Sequence, residues 1–229
     1  MKKKLDIISE TPLFGGLPEN QLREIEQIAV DRLFSKGETI FFEGDDGSGF
    51  YIVVDGRVKV YKVSTEGREQ ILHIFGPGEP FGEVPVFTAK PFPANAEAIA
   101  KSRLLFFPRT AFVDLISGNP CLALNMLAVL STRLRRFTVQ IENLSLKEVP
   151  SRLAAYLIYL ADKQGRNDSV RLNISKGQLA SLLGTIPETL SRIFAKMSAQ
   201  KLIQVSGREI RILDFMGLKD LAQYGKYAE

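Results

Sequence analysis

The chain has 229 residues, an ordinary apolar content and a formal net charge of +4, which is enough length to bury a core and to hold one or two domains. No apolar run approaches the roughly 18 residues of a membrane span. One cysteine rules out an intramolecular disulfide and fits a reducing compartment, and one histidine rules out a metal site built from several imidazoles. No nucleophile–base pair or phosphate loop stands out, so an enzyme is not expected.

The charge is uneven: residues 1–144 carry a net −1 and residues 145–229 a net +5. That division predicts a neutral N-terminal module and a basic C-terminal one, whose usual partner is a polyanion. The start, "MKKKLDIISETP", has no apolar signal region because Asp6 and Glu10 interrupt it. Lys2 to Lys4 read as a solvated tail on a cytoplasmic protein.

"LPENQLREIEQIAV" predicts a short helix, with Pro18 near its start and Leu22, Ile25, Ile28 and Ala29 as its apolar stripe. From Gly37 to Glu83 the texture changes to short β-rich runs punctuated by glycines. "YIVVDGRVKVYKV" predicts a hairpin turning at Asp55-Gly56, and strands continue through "ANAEAIAKSRLLFFPR". Many short strands with close turns predict a small barrel or roll.

After Asn119-Pro120, apolar residues fall at Leu127, Leu130, Leu134, Phe137, Ile141 and Leu144. Alternating separations of three and four are the a/d seam of a coiled coil, and a parallel dimer is expected. An amphipathic helix packed on its own domain is the competing explanation. Pro150 marks a break, and "SRLAAYLIYLADKQG" predicts a helix ending before Gly165. "VRLNI" predicts a strand, and Ser175 caps a helix "KGQLASLL" that stops at Gly184. "TIPETLSRIFAKMSAQKL" predicts a further helix, capped by Thr185 with Pro187 in its first turn. "IQVSGREIRIL" predicts a hairpin turning at Ser206-Gly207, and "MGLKDLAQYGK" a final helix. The result is an α+β chain with a roll at 1–118, a dimerisation helix at 119–146 and a winged helix-turn-helix at 147–229.

On the helix from Ile186 to Gln200, Leu190, Ile193, Phe194 and Met197 share one side, while Glu188, Ser191, Arg192 and Ala195 lie almost opposite. A helix fits the major groove, where guanine offers two acceptors to an arginine and cytosine an amino donor to a carboxylate. Arg192 is therefore expected to bond guanine. Glu188, one turn away, would accept from cytosine and hold the Arg192 fork in line. Ser191 and Ala195 keep the face low. An exposed Glu–Arg pair alone would only stabilise the helix slightly; the helix–turn–helix–wing context favours DNA. Ser175, Thr185 and Thr189 complete the expected DNA face, with Lys196 and Lys201 nearer phosphates than bases.

From the glycine-punctuated roll to the winged helix, the chain resembles the CRP/FNR family of bacterial transcription regulators. "GTIPETLSRI" resembles the family's recognition helix and "FGEV" its pocket-lip motif. The resemblance implies an N-terminal double-stranded β-roll like a cyclic-nucleotide-binding domain, a homodimer and effector-controlled binding to a palindromic, TTGA-like site. RNA polymerase becomes a partner if the protein activates transcription. It further implies an effector pocket at His73, Phe81, Gly82, Glu83, Val84, Pro93, Ala94, Asn95, Leu127, Phe137 and Thr138.

In the cyclic-AMP branch, an Arg-Ser pair neutralises the phosphate and a polar pair on the dimer helix meets the adenine. Here those positions read Pro93-Ala94 and Phe137-Thr138, so cyclic AMP is not expected, although a cyclic-nucleotide-responsive regulator is the alternative reading. Glu83 is left without an evident partner. A cysteine-ligated iron–sulfur cluster needs about four cysteines, and Cys121, expected to be a buried helix residue, is alone. An apolar pocket of Val84, Val86, Phe87, Phe92, Pro93, Leu127 and Phe137 remains. "FGEVPVF…PFPANAEA" resembles the nitrosative-stress and denitrification branch, which implies haem and nitric oxide. His73 is then the axial ligand, with Met126 the only suggestion for a second.

Overall fold

The computed structural model describes residues 4–166 and 168–225. By its internal contacts the chain divides into two units, residues 1–135 and 136–229. Of the N-terminal lysines, Lys2 and Lys3 lie outside the described residues. Lys4 is not a solvated tail: its Nζ donates to the Ala29 carbonyl at 2.6 Å, in the first helix α1 (Lys4–Glu10).

In the first unit, α1 leads through a tight turn to α2 (Glu19–Ile28), which begins one residue after Pro18 and ends before Ala29. Two four-stranded antiparallel sheets follow. One contains β1 (Val30–Phe34), β3 (Gly49–Asp55), β6 (Pro80–Phe81) and β8 (Ser102–Pro108), in the order β1-β8-β3-β6. The other contains β2 (Thr39–Phe41), β4 (Val58–Val63), β5 (Glu69–Phe75) and β7 (Asn95–Ala98), in the order β2-β7-β4-β5. A short helix α3 (Val84–Thr88) follows β6, and α4 (Arg109–Gly118) follows β8.

The side-chain period of two on a strand explains the two cores. On β3 and β8, Phe50, Ile52, Leu105 and Phe107 face one way. They pack with Ile8, Phe14, Ile25, Phe112, Leu122 and Met126, which come from the helices and the turn after α1. Val53 and Leu104 face the other way, into an aromatic interior with Phe41, Phe75, Phe81 and Phe92.

The expected hairpin at Asp55-Gly56 does not form. β3 pairs with β8 and β6, whereas β4 pairs with β5 and β7. The turn instead carries the chain from one sheet to the other. Gly56 has φ +88°, and a Cβ there would lie 2.3 Å from the Ser102 hydroxyl and 2.5 Å from the Lys101 carbonyl. A turn signature specifies backbone angles, not which strands then pair.

Helix α5 (Pro120–Leu146) belongs to both units. The second unit continues with α6 (Val149–Gln164) and β9 (Ser169–Arg171), shorter than the expected strand. Then come α7 (Lys176–Leu182), α8 (Pro187–Ala199), β10 (Ile203–Ser206), β11 (Glu209–Ile212) and α9 (Phe215–Tyr224). β9, β10 and β11 make one small sheet. Ser206 pairs with Glu209, so the two-residue turn is Gly207-Arg208, one residue beyond the expected position.

Candidate nucleic-acid interface and roll interior

The helix-turn-helix is built from its caps. Ser175 opens α7 with a capping box: its hydroxyl accepts from the Gln178 N–H, and the Gln178 side chain accepts from the Ser175 N–H. The hydroxyl is thus engaged in holding the helix. At the other end Gly184 has φ +66°. The Gly184 N–H donates to Ser181 and the Thr185 N–H to the Ala180 carbonyl, the Schellman pattern. Thr185 therefore closes α7 rather than capping α8. The cap position of α8 is Ile186, with no side-chain cap, and Pro187 removes one amide that would otherwise need a partner.

On α8, Leu190, Ile193, Phe194 and Met197 are buried. Glu188, Ser191, Arg192, Ala195 and Lys196 are exposed, and Thr189 is half-buried. The expected division of faces is present. The Ser191 hydroxyl donates to the Pro187 carbonyl at 2.9 Å, which folds it against the helix and lowers the centre of the face. The expected Glu188–Arg192 bond is absent: among the described residues neither side chain forms an ion pair. Exposed i,i+4 pairs gain only tenths of a kcal/mol, about 0.3–0.5, too little to hold two long side chains against water.

Lys201 ends α8 with φ +57°. Its N–H donates to Ser198 and the Leu202 N–H to Met197, a second Schellman ending in which a lysine takes the place usually held by glycine. The wing adds cations that sequence reasoning passed over. Arg208 sits at the tip and Arg211 on β11, both exposed. Arginines flanking a hairpin turn in a basic domain were the available signal.

In the roll, the predicted pocket residues separate. Val86 belongs to the helix-side core and Phe92 to the aromatic interior. Val84 and Phe87 are 37% and 46% exposed on α3, because Pro85 and Val86 take its buried side. Leu127 is exposed, and Phe137 and Thr138 fall in the other unit. Met126 packs in the helix-side core, not with His73, which excludes it as a second ligand beside that imidazole. Cys121 is exposed, not buried, because Leu122 and Met126 take the inward face of α5.

The interior holds stacked rings. The Phe41 and Phe92 ring centres lie 3.7 Å apart and nearly parallel, Phe81 meets Phe41, Phe75 and Tyr51, and the His73 and Phe75 rings meet edge-to-face with centres 4.5 Å apart. Gly82 has φ +75°, and a Cβ there would meet Phe41 and Phe92 at 3.2 and 3.3 Å. Ala94 is buried and Asn95 half-buried. The Asn95 side chain accepts from Glu43 N–H and donates to the Tyr61 carbonyl. Pro93 is exposed. The Lys62 ammonium reaches its carbonyl at 3.2 Å but is already paired with Glu43.

Glu83, left without a partner by the sequence, is buried and ion-paired with Arg133 of α5. Arg133 also donates to the Pro80 carbonyl at 2.5 Å, and its guanidinium lies 5.1 Å from the centre of the Phe75 ring. Among the described residues, no group of three or more His, Cys, Asp or Glu could hold a metal ion.

A roll followed by a helix that runs on into a winged helix-turn-helix defines an effector-domain transcription regulator that binds DNA. The chain belongs to the CRP/FNR family. Residues 31–119 match the cyclic nucleotide-binding domain family and residues 151–221 the Crp-like helix-turn-helix domain family. It is 30% identical to the cyclic AMP receptor protein of Thermus thermophilus over 212 residues, covering 93% of this chain and 97% of that one. It is 27% identical to the fumarate and nitrate reduction regulatory protein of Vibrio cholerae, covering 96% and 89%. Among solved structures, FixK2 from Bradyrhizobium japonicum matches with a TM-score of 0.76 at 25% identity, covering 85% of this chain and 97% of that one. These relatives are transcription regulators, and both cyclic-AMP-type and FNR-type proteins are among them. Among the described residues no single helix is long and apolar enough to cross a membrane.

Proposed function

We propose that the protein is a homodimeric, effector-responsive regulator, acting in the cytoplasm, that binds a palindromic TTGA-type site through Glu188, Ser191 and Arg192. The observation that carries this reading is α8: four buried apolar residues on one face, and on the other an unpaired arginine and glutamate either side of a low centre. Arg192 donates to guanine and Glu188 accepts from cytosine. Lys196, Lys201, Arg208 and Arg211 meet phosphates, which strengthens binding to every sequence alike. Leu127, Leu134, Phe137 and Ile141 are 59%, 68%, 37% and 65% exposed along α5, and an apolar edge of that length supports pairing with a second copy. Leu130 instead packs on the helix-side core, and Leu144 is half-buried. RNA polymerase joins the partners if the protein activates.

The test is a binding series over every single-base variant of a TTGA-type palindrome. Arg192→Ala should level the preference at the guanine position and cost about 1–3 kcal/mol there. A uniform loss at all positions would mean that α8 does not enter the groove through this face.

For the effector, the side chains favour a planar apolar ligand, with nitric oxide or redox state as the signal and haem as the candidate. The groups around Phe75 support such a ligand: an imidazole steeply inclined to that ring, further phenyl rings, and a guanidinium 5.1 Å from its centre. His73 shares the inward face with Phe75, two residues on, and would supply the axial ligand. Haem, when bound, brings an iron that binds nitric oxide. Phe92 fills the space beneath Gly82, so seating a ligand requires its ring to leave Phe41. The cyclic-nucleotide alternative draws support from the family match over the roll and from the buried Glu83–Arg133 pair. Against it, Pro93-Ala94 offers a phosphate no charge, and Lys62, whose ammonium reaches the Pro93 carbonyl, is spent on Glu43.

A further inference from the structure

We propose that a cavity between α2 and α4, on the helix side of the first unit, is a binding site for a short aliphatic diamine. The cavity holds about 280 Å³ and is lined by residues of α2, of α4 and of the start of α5. Ile25 and Leu122 form its floor, and each is 1% exposed, so the floor is fixed by the core beneath it. The walls carry acceptors and no positive charge. Glu24 stands on α2 and Asp114 on α4, and among the described residues neither carboxylate forms an ion pair or a hydrogen bond. Arg23, the neighbour of Glu24 in the chain, is paired with Glu19 at 2.7 Å and is not part of the lining. The amide side chains of Asn20, Gln21 and Asn119 also line the cavity, without a bond among the described residues, and each can offer an oxygen. The end of α4 adds to the negative field. No residue of its last turn is basic, and Pro120, just beyond it, has no N–H to give the last carbonyls.

These features select the ligand. Two carboxylates, one from each helix, call for two cationic ends. A lysine or arginine side chain of a partner protein brings only one. The apolar floor calls for hydrocarbon between those ends, and a metal ion would leave that floor unused. The space is also many times a single ion, since one water takes only about 30 Å³ in the liquid. A diamine supplies both parts: ammonium groups with three donors each for the carboxylates and amide oxygens, and a methylene chain to lie on Ile25 and Leu122. The cavity lies apart from α8 and from the ring-lined interior of the roll, so the site stands or falls independently of the readings of both.

The experiment is isothermal titration calorimetry of the full-length protein, without DNA, with putrescine, with the monoamine butylamine and with the neutral butanediol, all at low salt. Putrescine should bind once per chain and at least about tenfold more tightly than butylamine, the worth of one charge-assisted hydrogen bond. Butanediol should give no binding heat. Glu24→Gln and Asp114→Asn should each lower putrescine affinity about tenfold or more, to the level of butylamine, and the double variant should abolish binding. Both positions are exposed, so the thermal midpoint without ligand should stay close to that of wild type. Equal binding of putrescine and butylamine would overturn the proposal, because a single cationic head would then suffice, as a partner's lysine supplies. Putrescine binding that survives both substitutions would overturn it by placing the amine elsewhere. Magnesium that binds in place of putrescine, and is lost in the same variants, would overturn the ligand class.

Discussion

Lys201 holds two roles that pull against each other. Its positive φ is one that a side chain with a Cβ occupies at a cost of roughly 1–2 kcal/mol, offset in part by the entropy a glycine would lose there. Its charge lies at the end of the recognition helix, where phosphates are expected. Two substitutions separate the roles. Lys201→Gly should raise the stability of the folded chain by about 1 kcal/mol, read as a higher thermal midpoint, whereas Lys201→Ala should not. Both should weaken DNA binding equally across sequences and flatten its salt dependence. A gain in stability from both, or from neither, would count against strain at this position. Glu83 and Arg133 show why part of the site was hidden in the sequence. The lip motif marks Glu83, but its partner is an arginine 50 residues on, among three in "RLRR", and no local pattern singles out Arg133.

At the scale of elements, the helices of the second unit were the legible part, whereas α1, α3 and α4 were not foreseen. The i, i+3, i+4, i+7 stripe on α8 is a local property, and burial follows it residue by residue. The strands were legible one at a time but not in their pairing, as the crossing at Asp55-Gly56 shows, since sheet partners are chosen by non-local packing. Helix α5 carries the next prediction. With Leu134 and Phe137 on its exposed edge, replacing both with glutamate should leave each chain folded but break the dimer and cost operator binding. Sedimentation velocity reads the first effect and a gel shift the second. An intact dimer with unaltered operator binding would mean that the edge serves something else.

For the whole molecule, three groups in the roll bind their protons more tightly than free side chains do. Burial opposes the charge on Lys59, but its bond to Glu69 and the negative charges of Glu69 and Glu97 outweigh that and raise its pKa. Burial raises Tyr51, partly offset by Arg32. Burial likewise raises Tyr61, with Lys59 opposing and Glu97 and Glu69 adding to the rise. A group whose folded pKa is raised contributes stability below its ordinary range and loses it as the pH climbs past. The fold should therefore weaken above about pH 10. Tyr51→Phe should make that decline shallower in urea unfolding followed by circular dichroism at pH 9 to 11; an unchanged slope would argue that Tyr51 ionises as readily folded as unfolded. The same strands carry a broader consequence. β3 and β8 act as a wall shared by two rooms: residues 50, 52, 105 and 107 furnish the helix side, and 51, 53, 104 and 106 the ring-lined side. Evolution can rewrite every second letter of that wall to suit a new signal while the letters between keep the helices in place. One scaffold can thus change what it listens for without having to relearn how to fold.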